Sequence, residues 1–379
     1  MEKNTPKKKI LFRNRSMEMG GIEKVLLTIL NHLDQSTHEI TLLLNYEQGE
    51  FLNRIPAGVR ILSIGKGSQI FSNIKIIHLI QKSWRRLKYF SFQNNPKNFY
   101  KKHQLLDYDF EVAFSHYMFD DILKSPNLKS KKIFWFHGDL RNSGFSVKQN
   151  NHFVHQMVQF DTGVFVSHFS KNIIEKTWGV VLQNSQVIYN LMPVDEILEK
   201  SRQPQQNFGK INFVSVGRLF HQKGFKDLLS AHIRLLKEGF TIRTLIIGEG
   251  NQRAELEKII HDNNVSDSFI LGGYQENPYF HIKTANYFIL PSYSEGYGLV
   301  VAEALLLDTF VLSTNVGGIL ELIESEEEGI LFSPGAEHVY TAVKKVLTEK
   351  ETLHKNNNFK QKIINRNQRT QDQLLQLFS

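Results

Sequence analysis

Short apolar runs of three to six residues recur along most of the chain, separated by stretches of helical period, and this alternation restricts the fold more than any other feature. Residues 9–12, 40–44, 110–114, 133–136 and 164–166 read as buried strands, with helical patterns such as residues 22–33 between several of them. After Asn190 the composition turns polar (EKSRQPQQNFGK), which reads as a linker. The alternation then restarts, with strands expected at 211–216, 245–247, 269–271 and 287–290 and helices at 225–237 and 254–261. Strand following helix in succession builds a largely parallel sheet. At 379 residues the chain is too long for one ordinary core. We therefore expect an α/β protein of two domains, 1–195 and 196–355. Residues 356–379 end in the amphipathic QDQLLQLF, expected to be a terminal helix packing back toward the first domain.

No run approaches the roughly 18 uninterrupted apolar residues of a membrane span, and the opening MEKNTPKKKILF lacks the apolar stretch of a signal peptide, so the expected location is cytoplasmic. With 0 Cys, disulfides and thiolate chemistry are excluded. Charge divides unevenly: residues 1–190 hold 26 Lys and Arg against 15 Asp and Glu, the remainder 20 against 23. Within the basic half, residues 66–102 carry Lys66, Lys75, Lys82, Arg85, Arg86, Lys88, Lys97, Lys101 and Lys102 and no carboxylate. Trp84, Tyr89, Phe90, Phe92, Phe99 and Tyr100 are interleaved with them. Such a mixture suits an anionic membrane surface, and equally a solvated helix face whose aromatics point into the core. Nucleic acid is not expected as a partner, since no recognition motif accompanies the charge.

In open parallel sheets ligands bind beyond the carboxyl ends of the strands, so the junctions there are the candidate sites. Gly20 and Gly21 follow the first strand and open a helix, where a phosphate could meet free N–H groups; a tight turn without a ligand explains them equally well. In VSVGRLFHQKG, Arg218 and Lys223 leave the first strand of the second domain, two cations suited to a diphosphate leaving group or to a salt-bridged surface loop. In PSYSEGYGLVVAE, Glu295 closes a loop, Gly296 and Gly298 open a helix, and Glu303 lies on its early turns. Both carboxylates could accept hydrogen bonds from paired hydroxyls while the N–H groups of Gly298 and Leu299 take a phosphate. A helix start with capping acids is the plainer alternative.

The E-x7-E element from Glu295 to Glu303, the VGRLFHQKG segment, the IIGEG strand end with Gly248 and Gly250, and the N-terminal GGIEKVLL together resemble the GT-B retaining glycosyltransferases of family 4. The resemblance implies two Rossmann-like domains with parallel sheets facing across a cleft. It implies a nucleotide-sugar donor, here expected to be a UDP-sugar, and a glycan or lipid-linked acceptor in cell-surface polysaccharide synthesis. By the same resemblance Arg218 and Lys223 hold the donor diphosphate, Glu295 contacts the transferred sugar and Glu303 the ribose. The backbone of Tyr297, Gly298, Leu299 and Val300 cradles the distal phosphate, and the loop at Gly272, Gly273 and Tyr274 meets the base. His137, at the end of the WFH strand, looks like the family's active-site histidine. The implied mechanism is front-face attack with the departing diphosphate stabilised by cations and helix N-termini, needing no metal and no cofactor.

Three rival readings remain, one of them a non-catalytic sugar-nucleotide or membrane-interaction module, against which the set Arg218, Lys223, Glu295 and Glu303 argues. Asp107-Tyr-Asp109 matches the D-x-D signature of metal-dependent glycosyltransferases, but stands before a strand, where turn acids are expected. A sugar-nucleotide epimerase on a similar two-domain scaffold is the alternative function.

Overall fold

The computed structural model describes residues 6–349 and 359–379, apart from Asn73 and Ser143. The chain forms two compact units, Met1–Met192 with Arg369–Ser379, and Pro193–Gln368. The expected domain end at residue 355 lies outside the described residues.

The first unit holds a seven-stranded sheet: β1 (Lys8–Asn14), β2 (His38–Glu47), β3 (Arg60–Lys66), β4 (Phe110–Ala113), β5 (Lys131–Phe136), β6 (Thr162–Phe165) and β7 (Ser185–Val187). Their order is β3-β2-β1-β4-β5-β6-β7, and every pairing is parallel. Ile10, Leu11 and Phe12 are buried in succession, as are Leu42, Leu43 and Leu44, because a parallel sheet is covered on both faces and its strands lose the alternating pattern. The helix Gly21–His32 buries Val25, Leu26, Ile29 and Leu30, one stripe at helical spacing.

The second unit holds β8 (Phe213–Val216), β9 (Thr244–Ile247), β10 (Phe269–Leu271), β11 (Tyr287–Leu290), β12 (Phe310–Thr314) and β13 (Gly329–Phe332). The order is β10-β9-β8-β11-β12-β13, again all parallel. Both units are therefore Rossmann-like. In each, strand order reverses beside the unit's first strand, between β1 and β4 and between β8 and β11, and such reversals open a crevice at the carboxyl edge. The terminal helix Phe359–Leu377 begins earlier than its apolar tail indicates, since its first half is polar. At its end Phe378 is fully buried, edge-on to Phe12 and Phe110 with ring centroids 5.8 and 5.4 Å away.

Candidate active site

In the second unit the loops leaving β8 and β11 flank the reversal. The β8 loop is stitched to its neighbours by backbone bonds: Gly217 N–H donates to the Ile247 carbonyl (3.0 Å) and Leu219 N–H to that of Glu249 (2.8 Å). Gly248 N–H in turn donates to the Gly273 carbonyl after β10 (2.8 Å), so the three strand ends form one rim. A side chain at Gly248 would run into the Gly217 carbonyl, which explains why the IIGEG strand end has glycine there. Tyr274, next on the rim, is half exposed.

Across the reversal, Tyr293 N–H donates to the Gln222 carbonyl (2.8 Å) and Gln222 Nε2 to the Ser294 carbonyl (3.0 Å), clamping the β8 and β11 loops together. Lys223 Nζ donates to Glu295 Oε1 at 2.5 Å, and Ser292 Oγ donates to the same oxygen at 2.7 Å. The pair is largely covered, with side chains 20% and 13% exposed. Arg218 differs: it is exposed, its guanidinium lies 4.9 Å from the Phe220 ring centre, and among the described residues no carboxylate pairs with it.

Two helices open at this rim, Phe225–Lys237 after Gly224 and Leu299–Leu306 after Gly298, and neither has a side-chain cap. Their first N–H groups and partial positive charge are suited to an anion. Gly298 has φ 86°, a left-handed conformation that a side chain would strain. Leu299 and Val300 form the first turn, and Glu303 lies on the same helix, 2% exposed. Tyr297 is buried, and burial pushes its phenol up to about 12, so it is neutral. Arg366, hydrogen-bonded to it, opposes that shift.

In the first unit Gly20 caps the helix Gly21–His32 in extended backbone with no side-chain cap. A side chain at Gly20 would meet the Glu23 carboxylate, whereas Gly21 has open space. His137 follows β5, its ring 4.8 Å from that of Phe114 and stacked with Trp135 at 6.4 Å. Burial, with His116 nearby, pushes the imidazole down to about 3, against a hydrogen bond that the ring N–H donates to the Phe114 backbone and that favours the protonated form. Nε2 is buried without a hydrogen-bond partner among the described residues. The neutral ring thus holds its proton toward the Phe114 backbone and leaves Nε2 an acceptor.

Asp107 and Asp109 precede β4, at the opposite edge from the strand ends just described. Asp109 accepts from the Lys9 backbone N–H (2.7 Å) and Asp107 from Lys9 Nζ (2.5 Å), so both serve to hold β1 beside β4. Ser292, Gln222 and His116 were not marked in the sequence. The first two lie inside recognisable motifs, while His116 carries no local signal.

The model for Glycosyltransferase Family 4 matches residues 19–196, and that for Glycosyl transferases group 1 matches residues 196–366. An uncharacterized glycosyltransferase of Methanocaldococcus jannaschii is 30% identical over 152 residues, 38% of this chain and 37% of that protein. The N-acetylgalactosamine-N,N'-diacetylbacillosaminyl-diphospho-undecaprenol 4-alpha-N-acetylgalactosaminyltransferase of Campylobacter jejuni is 28% identical over 181 residues, 48% of each chain. The match thus spans less than half the length of either relative. Among solved structures, Anabaena HepE in complex with UDP and glucose superposes with TM-score 0.75 at 18% identity, covering 97% of this chain and 100% of that one. With its two parallel-sheet Rossmann-like units and both family models matched in order, the chain belongs to glycosyltransferase family 4 and has the GT-B fold.

Proposed function

We propose that the chain transfers a hexose from a UDP-sugar to a hydroxyl of a glycan or lipid-linked acceptor, with retention of anomeric configuration and without a metal, in building a cell-surface polysaccharide. The observation that carries this reading is Arg218, an exposed cation with no carboxylate partner among the described residues, on a rim where two uncapped helices also open. Support for the donor comes from HepE, solved with UDP and glucose, and for the acceptor from the Campylobacter relative, named for a diphospho-undecaprenol substrate.

In this reading the donor diphosphate takes Arg218 and displaces Glu295 from Lys223. Glu295 is then free to accept hydrogen bonds from hydroxyls of the transferred sugar. The N–H groups from Gly298 to Val300 hold the distal phosphate, Glu303 the ribose, and the rim at Gly248, Gly273 and Tyr274 the base. His137 is neutral at physiological pH, so it acts as a hydrogen-bond acceptor for a sugar hydroxyl at Nε2 and not as a cation. Gly20 and Gly21 offer further backbone N–H groups. The bond from the anomeric carbon to the diphosphate oxygen breaks, the acceptor oxygen bonds to the same face, and its proton passes to the leaving diphosphate. Arg218, Lys223 and the helix ends stabilise the charge that develops there.

The test supplies UDP-hexoses with polyprenyl-diphosphate sugars as acceptors, with and without EDTA, and reads the product linkage by NMR. A product with the donor's anomeric configuration, formed at the same rate within about twofold in chelator, is expected. An inverted linkage overturns retention, and loss of turnover in EDTA restored by manganese overturns metal independence. The epimerase alternative is not favoured by the family, and would require the donor to be converted with no acceptor present.

A further inference from the structure

The basic segment of the first unit folds as the helix Lys75–Asn94, packed over β3. Its inward side is polar and aromatic: Gln81 accepts from Ser72 N–H (2.8 Å), Arg85 lies 4.2 Å from the Tyr46 ring centre, and Phe92 is buried. Tyr89 Oη reaches Asp121 at 3.3 Å. The outward side is apolar. Ile76, Leu79, Trp84, Leu87 and Phe90 are each 60–70% exposed, with Ile80 at 52%. Their positions recur at three- and four-residue intervals, which makes one continuous stripe. Lys75, Lys82 and Arg86 run along one border of the stripe and Lys88 along the other; all four are exposed, and none has a carboxylate partner among the described residues. Among the described residues no helix is long and apolar enough to cross a membrane.

An amphipathic helix normally turns its apolar face to the core, and this one is inverted. We propose that the outward face of the helix Lys75–Asn94 inserts into the surface of an anionic lipid bilayer, with the apolar stripe among the acyl chains and Lys75, Lys82, Arg86 and Lys88 at the headgroups. Charge complementarity selects this occupant: a second copy would bring four like-charged borders together, whereas anionic lipid neutralises them. Trp and Phe at the stripe suit the interface, where an amphipathic helix rests with its axis in the plane. The docking stands apart from the donor-site reading, because it needs no turnover.

The test is co-sedimentation of the full chain with vesicles of phosphatidylcholine alone or with phosphatidylglycerol, at low and high salt. The parent is expected to pellet with the anionic vesicles and to keep part of that binding at high salt, since screening within about 8 Å weakens the charges but not the inserted stripe. Leu79→Ser with Leu87→Ser should lower binding at least tenfold at both salts, and Lys82→Ser with Arg86→Ser and Lys88→Ser should remove the preference for anionic lipid. On the parent fold itself, brominated acyl chains should quench fluorescence that Trp84→Phe removes. A parent that ignores phosphatidylglycerol, a leucine variant that binds as well as the parent, or quenching unchanged by Trp84→Phe would each overturn the proposal. So would concentration-dependent dimers that these leucine substitutions dissociate while vesicle binding is absent.

Discussion

The two units share a strand order but treat the cation beside the reversal differently. Near the carboxyl end of β1, Arg13 is fully buried, bonded to the Leu43 carbonyl (2.9 Å), to Asn45 and to the Asp121 carboxylate (2.7 Å). Just past the end of β8, Arg218 stands exposed with no carboxylate paired to it among the described residues. One arginine is spent on holding the fold, and the other is the one the proposed donor site assigns to the diphosphate. Topology therefore fixes where a crevice opens, while the neighbours of each cation decide whether it can bind anything. That difference can be tested by removing the charges one at a time.

The largest effect should fall on stability, in the first unit. Asp121→Ala strands a fully buried guanidinium, and breaking such a pair typically costs about 3–5 kcal/mol. Denaturant unfolding should show that loss while turnover per folded molecule stays near the parent's. A loss below about 1 kcal/mol would mean that Arg13 is not held as a structural ion.

In the second unit the same operation should act on rate. Arg218→Ala is expected to lower kcat about 10²–10³-fold, roughly 2.7–4 kcal/mol, with thermal stability within about 0.5 kcal/mol of the parent. Lys223→Ala should lower kcat similarly but also destabilise, because it leaves Glu295 covered without its cation. Unchanged kinetics in both variants would remove the site.

A smaller contrast concerns pH. Burial holds His137 down to about 3 and His116 to about 4 in the first unit, and His232 to about 4 in the second. Unfolded, each titrates near 6.5, so the stability they preserve is full above about pH 6.5 and is lost as pH falls toward the folded values. Each imidazole contributes roughly 1.4 kcal/mol of loss between pH 7.5 and 5.5. Unfolding free energies at those two pH values should differ by about that much less in His116→Gln than in the parent, and likewise in His232→Gln. An undiminished difference in either would show that the ring is protonated in the folded chain.

The edges of the sheets show what local reading misses. β3 and β7 lie at sheet edges and are only partly buried, so they carry no apolar run to mark them. β12 was hidden for the opposite reason. The helix Leu299–Leu306 that precedes it is apolar nearly all round, so LVVAEALL runs toward FVLST without a change of period. The segment 66–102 was legible as basic and aromatic, but not which side would face out. Trp84 and Phe90 proved exposed while Phe92 and Tyr100 joined the core, and Arg85 turned inward.

What this sequence determined by itself was local: two runs of strand and helix, glycines where backbone must pass close or turn left-handed, and charged residues at strand ends. Those signals depend on neighbours a few residues apart, and period and turn chemistry act at that range. Tertiary structure decided the rest. The Lys223–Glu295 pair joins residues 72 apart, and the Arg13–Asp121 pair residues 108 apart. Strand order placed each partner: it set Asp121 against Arg13, which became a buried strut, and set no carboxylate among the described residues against Arg218, which stayed exposed.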